Sequence, residues 1–288
     1  MSAASSTEKL QQAFAQNLST RADFTLDQPW EAYTSVDHAV WRQLFERQSA
    51  LLQGRASTQF LEGLAKLQVR ADRVPVFSEI NQQLKAASGW EIVAVPGLVP
   101  DTVFFNHLAH RRFPVTWWMR RPDQLDYLQE PDCFHDLFGH VPMLINPVFA
   151  DFMQRYGQLA AAANPEDLIM LARLYWYTVE FGLIRDRAAG DLRIFGAGIV
   201  SSKGESLYSL ENPAPNRLGF DLERVMRTNY RIDTFQQTYF VIDSFEAVIA
   251  AIDADMPALL AKLRDLPIYQ AADVDSHDRI THRSIQFN

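Results

Sequence analysis

From Val36 onward the apolar positions keep a helical rhythm. Val36, Val40, Trp41, Leu44, Phe45, Leu51 and Leu52 fall on one stripe with a period of about 3.6. A second stripe, Phe60, Leu61, Leu64 and Leu67, opens behind Ser57 or Thr58, either of which can cap a helix. Asn81 to Ser88 predicts a short helix closed near Gly89. The run WEIVAVPGLVPD, from Trp90 to Asp101, reads as a short buried strand entering a Pro/Gly turn. Val103 to His110 predicts a helix, and PVTWWM at 114–119 a strand. The pattern from Asp132 to Gly182 is mostly helical. RIFGAGIV (193–200) and SLYSL (206–210) suggest a small sheet, and a short run, YFVI, leads into one long helix from about Ser244 to Leu263. No repeat and no Gly/Ser-rich linker divides the chain. The expectation is an α+β fold, mostly α-helical with a few short strands, as one domain over residues 23–266. A flexible arm (1–22) precedes it and a polar tail (267–288) follows.

Composition narrows the class. Of 288 residues, 48% are hydrophobic and 22% charged, which excludes a disordered or low-complexity chain. Twenty-seven basic against 35 acidic residues give a net charge of -8, so no nucleic-acid or anionic-membrane partner is expected. No run approaches the roughly 18 apolar residues of a membrane span, and the opening segment lacks the apolar core of a signal peptide. Cys133 is the single cysteine, which excludes an intramolecular disulfide and fits a reducing cytoplasm.

Chemistry concentrates in EPDCFHDLFGHVP, which holds His135 and His140. On an ideal α-helix their five steps of about 100° leave them about 140° apart, on different faces. They converge only if the helix ends or bends, for which Gly139 and Pro142 supply a reason. Spacing alone marks nothing, because His277 and His282 repeat it in a polar tail with no apolar shell. A carboxylate further along adds weight. The segment NPEDLIMLARLYWYTVEFG opens with Asn164 as cap and Pro165 in the first turn, and is apolar over most of its girth. Glu180, near its end, needs a cation or a partner such as Arg173. Two histidines and one carboxylate with open positions form the facial triad of non-haem Fe(II) oxygenases, and zinc accepts the same ligands. Arg120 and Arg121 are either solvated or a bidentate clamp for a substrate carboxylate. No P-loop, dinucleotide fingerprint or nucleophile elbow stands in a fitting context.

EPDCFHDLFGHVP, LARLYWYTVEFGL and GAGIVSSKGES, in that order, resemble the pterin-dependent aromatic amino acid hydroxylases, especially the short bacterial members, from about Asp23 to Phe245. The resemblance implies that His135, His140 and Glu180 are iron ligands. It places a pterin against the backbone of Gly97, Leu98 and Val99, stacked on Phe104, with Asp136, Ala172 and Tyr175 close to pterin or iron. Tyr175 and Glu180 would border the reacting centre. Arg120 would pair with the amino acid carboxylate; Trp176, Phe181, Gly198 and Ser202 would line the substrate pocket, with Glu205 supporting it. Asp136 stands where animal members carry glutamate, and Leu128 and Gln129 where they read Thr-Pro. Ile232 is apolar where tyrosine hydroxylases look to carry an aspartate, which favours phenylalanine over tyrosine.

The implied reaction makes tyrosine from L-phenylalanine with Fe(II), a tetrahydropterin (tetrahydrobiopterin or a bacterial analogue) and dioxygen as co-substrate. It needs no charged acid/base residue at the ring. Only about 22 residues precede the match, and the tail lacks heptads, so a monomer is expected, in the cytoplasm that the single cysteine suggests. The rival readings are tryptophan hydroxylation by the same machinery, a zinc hydrolase on the same ligands, and an iron-binding module without turnover.

Overall fold

Parallel strands need a crossover connection, and the chain supplies one around β1 (Glu91–Val95) and β2 (Arg112–Thr116). The helix Asp101–Ala109 carries the chain between them, and Ile92, Ala94, Phe113 and Val115 are buried on the pair. β2 begins two residues before the expected strand, since Arg112 already pairs with Glu91. The helix Phe77–Ser88 starts a turn before Asn81, burying Phe77, and ends at Gly89, whose φ of 73° lets its N–H reach the Lys85 carbonyl. The Asn81 amide brackets Ile92, accepting from its N–H at 2.7 Å and donating to its carbonyl at 2.9 Å.

The structure is a computed structural model that describes residues 19–186, 190–253 and 255–281. Its chain divides into two units. The first is Glu62–Ala161 with the described residues up to Ala50. Beside the β1–β2 pair it contains the helices Ser35–Leu51 and Pro147–Ala162, which bury Trp41, Leu44, Phe149, Phe152 and Tyr156. Gly157 permits a close backbone approach there: a Cβ on it would lie 2.5 Å from the Ala109 nitrogen.

The second unit is Leu51–Leu61 with the described residues from Ala162 on. Its sheet has the order β4 (Asp191–Ile194), β3 (Leu183–Asp186), β6 (Thr238–Ile242), β5 (Asn216–Gly219). β3 and β4 are antiparallel, while β6 runs parallel to both β3 and β5. Asn164 caps the helix Pro165–Tyr175 as the sequence suggests, accepting from the Glu166 and Asp167 N–H groups.

Two expectations are corrected here. The small sheet over 193–200 and 206–210 reduces to the end of β4. Ala197–Val200 is a short helix, and Lys203–Glu211 is a helix capped by the Ser202 hydroxyl on the Glu205 N–H. The cue is Ser202 followed three residues later by Glu205, the pattern of a capping box. The long helix after Ser244 is two, Phe245–Ile252 and Met256–Leu263, the second started by Pro257 behind the capping Asp255. The tail is tied down through residue 281 by bridges from Tyr269 to Thr228 and from Ile280 to Leu218. The rest of the tail, His282 included, and most of the expected arm lie outside the described residues. No helix among those described is long and apolar enough to cross a membrane.

Candidate active site

His135 and His140 share a π-helix, Phe134–His140, which continues directly into the helix Val141–Leu144. The expected break at Gly139 is absent. An i→i+5 hydrogen-bonded turn is wider than an α turn and sets residue i+5 roughly above residue i. The two Nε2 atoms accordingly lie 3.3 Å apart. Two imidazole donors that share one ion, each about 2.1 Å from it, take such a separation. Asp136 contributes a third donor, and one ligand atom from each of the three falls within 4.8 Å of the others. Pro142 follows Val141 and, lacking an N–H, donates no hydrogen bond back into the π-helix.

Hydrogen bonds hold this π-helix against the segment that leaves β2. The Thr116 N–H donates to Asp136 Oδ2 at 2.7 Å, and the Cys133 N–H to the Trp118 carbonyl at 2.9 Å. Asp132 does most. Its Oδ1 accepts from the His135 N–H at 3.0 Å and from Arg120 Nη2 at 2.8 Å, and its Oδ2 accepts from Arg120 N and Nε, both at 2.9 Å. Arg120 is therefore buried and held in a fork–fork pair, whereas Arg121 is exposed and pairs with Asp123. Burial pushes the Asp136 carboxyl up to about 7, although the Thr116 amide lowers it. Burial, then the charge of Asp132, pushes the Cys133 thiol well up, which keeps it protonated.

The loop after β1 leaves the carboxyl end of a parallel strand, where open parallel sheets commonly bind ligands. Gly97 lies open there, since a Cβ on it would meet nothing nearer than Trp118 Nε1 at 3.9 Å. Leu98 is exposed and Val99 half-buried. Trp118 steadies the loop by donating from Nε1 to the Pro96 carbonyl at 3.2 Å. Phe104 packs edge-on to Phe113, and Phe113 lies 4.8 Å from the His140 ring.

In the second unit Ala172 and Tyr175 are half-buried near the end of the helix Pro165–Tyr175, which passes into another π-helix, Trp176–Glu180. Glu180 ends this turn, and three glycines crowd its backbone. A Cβ on Gly196 would lie 2.5 Å from the Glu180 carbonyl oxygen; on Gly198 it would meet Phe181 at 2.7 Å, and on Gly182 Phe195 at 2.1 Å. The Arg173 guanidinium, one sequence candidate for pairing with Glu180, donates to the Met226 carbonyl and to Asn229 Oδ1. Glu205 is buried and accepts from the Tyr239 hydroxyl and the Gln236 N–H. Ile232 is 74% exposed and flanked by the exposed Arg231–Asp233 ion pair. The sequence did not single out Asp132, Thr116, Gln236 or Tyr239. Only Asp132 carried a signal, as an acidic residue in capping position before His135.

A profile of the biopterin-dependent aromatic amino acid hydroxylases matches residues 10–259. The chain is 61% identical over 278 residues to a phenylalanine-4-hydroxylase of Ralstonia nicotianae, covering 95% of this chain and 88% of that one. It superposes with a TM-score of 0.90, at 57% identity and over 98% of its length, on all of the phenylalanine hydroxylase of Chromobacterium violaceum with bound iron(III) and 7,8-dihydrobiopterin. A structure of the same enzyme with iron and phenylalanine gives 0.89 at 56% identity, covering 96% of this chain and 99% of that one. A match over most of the chain, with a histidine pair placed for one shared ion, shows that the chain belongs to the biopterin-dependent aromatic amino acid hydroxylase family.

Proposed function

We propose that the protein is a phenylalanine 4-monooxygenase, converting L-phenylalanine to L-tyrosine with dioxygen and a tetrahydropterin. The observation that carries this reading is the pair of Nε2 atoms 3.3 Å apart in a fold whose relatives hold iron together with phenylalanine or dihydrobiopterin. His135 and His140, with Glu180 as third ligand by the family pattern, would hold Fe(II). Bound iron and tetrahydropterin together supply the reduction of dioxygen that makes ring hydroxylation possible.

The residues of the chain supply binding and orientation. Arg120, clamped by Asp132 through Nε and one Nη2 hydrogen, keeps further N–H groups with which to take a substrate carboxylate. The open backbone at Gly97, with Leu98 and Val99, would let a flat pterin approach closely, and by the family pattern Phe104 would stack on it. By the family pattern Asp136, Ala172 and Tyr175 would border the pterin or the metal. Trp176, Phe181, Gly198 and Ser202 form an aromatic-rich wall for the substrate ring, backed by Glu205. A water-poor lining of this kind limits side reactions of activated oxygen.

The same reading makes residues 1–22 an arm, 23–266 the catalytic domain and 267–288 a tail. A monomer is supported by the tail's return onto its own unit, and a cytoplasmic location by the single, buried cysteine. The test is an omission assay. Metal-stripped protein given Fe(II), tetrahydropterin, air and phenylalanine is expected to form tyrosine, and to form none when any one is left out. Preferred hydroxylation of tryptophan would overturn the substrate, and hydrolysis without oxygen the reaction.

A further inference from the structure

Gln236 is 3% exposed, and both ends of its amide are engaged. Its Oε1 accepts the indole N–H of Trp176 at 2.9 Å, and its Nε2 donates to the Arg231 carbonyl at 2.8 Å. An indole N–H only donates and a peptide carbonyl only accepts, so a single orientation of the amide satisfies both. The backbone N–H of Gln236 donates to Glu205 Oε1 at 3.1 Å. One residue thus joins the π-helix bearing Trp176, the loop bearing Ile232 and the helix bearing Glu205. Stacking on Tyr230, with centroids 4.2 Å apart and planes at 12°, restrains the tilt of the indole but leaves it free to slide. The hydrogen bond from its N–H removes that freedom.

We propose that Gln236 is a positioning residue for the aromatic amino acid: through the Trp176 N–H it fixes the indole against which the substrate ring is held. The inference rests on the reading above, in which Trp176 lines the substrate pocket. Small misplacements of a reacting group cost large factors in rate, so a buried anchor on a pocket wall has a measurable effect.

The test compares Gln236→Met, which keeps length and removes both amide bonds, with Trp176→Phe, which keeps a ring and removes the N–H. With Gln236→Met the KM for phenylalanine is expected to rise about tenfold, the scale of a buried group losing its partner. Tyrosine formed per pterin oxidised falls, and the KM for tetrahydropterin stays unchanged. Adding Gln236→Met to Trp176→Phe produces less than the sum of the two losses, because the Trp176 contact is already gone and only the bond to the Arg231 carbonyl remains to be lost. A phenylalanine KM within about twofold of the unaltered chain, equal rises for both substrates, or additive losses would overturn the inference. Should Gln236→Met fail to fold, exchange of the Trp176 indole N–H in the unaltered protein, assigned by its loss in Trp176→Phe, decides instead. Slow exchange is expected, and exchange as fast as an exposed indole contradicts it. Absence of tyrosine from the unaltered chain is a failure of the proposed function; normal turnover with an unchanged Gln236→Met is a failure of this inference alone.

Discussion

Four hydrogen bonds converge on the Asp132 carboxylate, three from Arg120 and one from the His135 amide. Burial pushes this carboxyl up, but the Arg120 charge and the donors outweigh it and hold it below the usual carboxylate range. Asp132→Asn would leave the Arg120 charge buried without its partner. A loss of about 3 kcal/mol in denaturant unfolding is expected, together with a fall of about 100-fold in kcat/KM for phenylalanine. Glu205 behaves oppositely. Burial raises its carboxyl above the ordinary 4.5, against lowering by Tyr239 and Gln236. A group raised in the native state contributes stability below its unfolded pKa, and that contribution is lost as pH climbs through the native value. The melting temperature should therefore decline as pH rises above 4.5 toward that raised value, and Glu205→Gln should flatten the decline. An identical slope in the variant would contradict this.

Among the secondary-structure elements, the amphipathic stripes placed most helices, because a buried face repeats at the α period whatever the tertiary detail. The stripe from Val36 and the cap at Asn164 were legible for that reason. The π-helices were not. A wide turn leaves no distinct period, so the convergence of His135 and His140 was foreseen while its cause was misplaced at Gly139. The helix Lys203–Glu211 was mistaken for a strand because Leu207, Tyr208 and Leu210 are strand-compatible; the cap at Ser202 decides it. Glycine roles needed coordinates too. Gly196→Ala would drive a Cβ into the Glu180 carbonyl, and about 2 kcal/mol of stability should go, with loss of bound iron. Gly97→Ala has room, so its unfolding midpoint should stay put while the KM for tetrahydropterin rises. Equal stabilities for the two variants would refute this account of the turn.

Across the full chain, the stretch after Pro267 proves structural in its described part. Arg224 is buried and forks onto Asp278, with its guanidinium carbon 3.7 Å from the Tyr269 ring centroid. Gly219 and Thr281 extend the tie, donating to the carbonyls of Arg279 and Arg217. A polar composition concealed this, since the anchors are charged and aromatic side chains scattered at no period. Asp278→Ala is expected to cost about 3 kcal/mol in denaturant unfolding, because the buried Arg224 loses its counter-charge; a change below about 0.5 kcal/mol would show the tail to be loosely attached. What the chain does as a unit is best decided by the fate of oxygen. Phenylalanine, Fe(II) and tetrahydropterin should be supplied to the protein under isotopically heavy dioxygen in ordinary water, and the product weighed by mass spectrometry. Tyrosine carrying one heavy oxygen atom is the expected product. Tyrosine with oxygen from water, or no tyrosine while iron is bound, would contradict the monooxygenase reading.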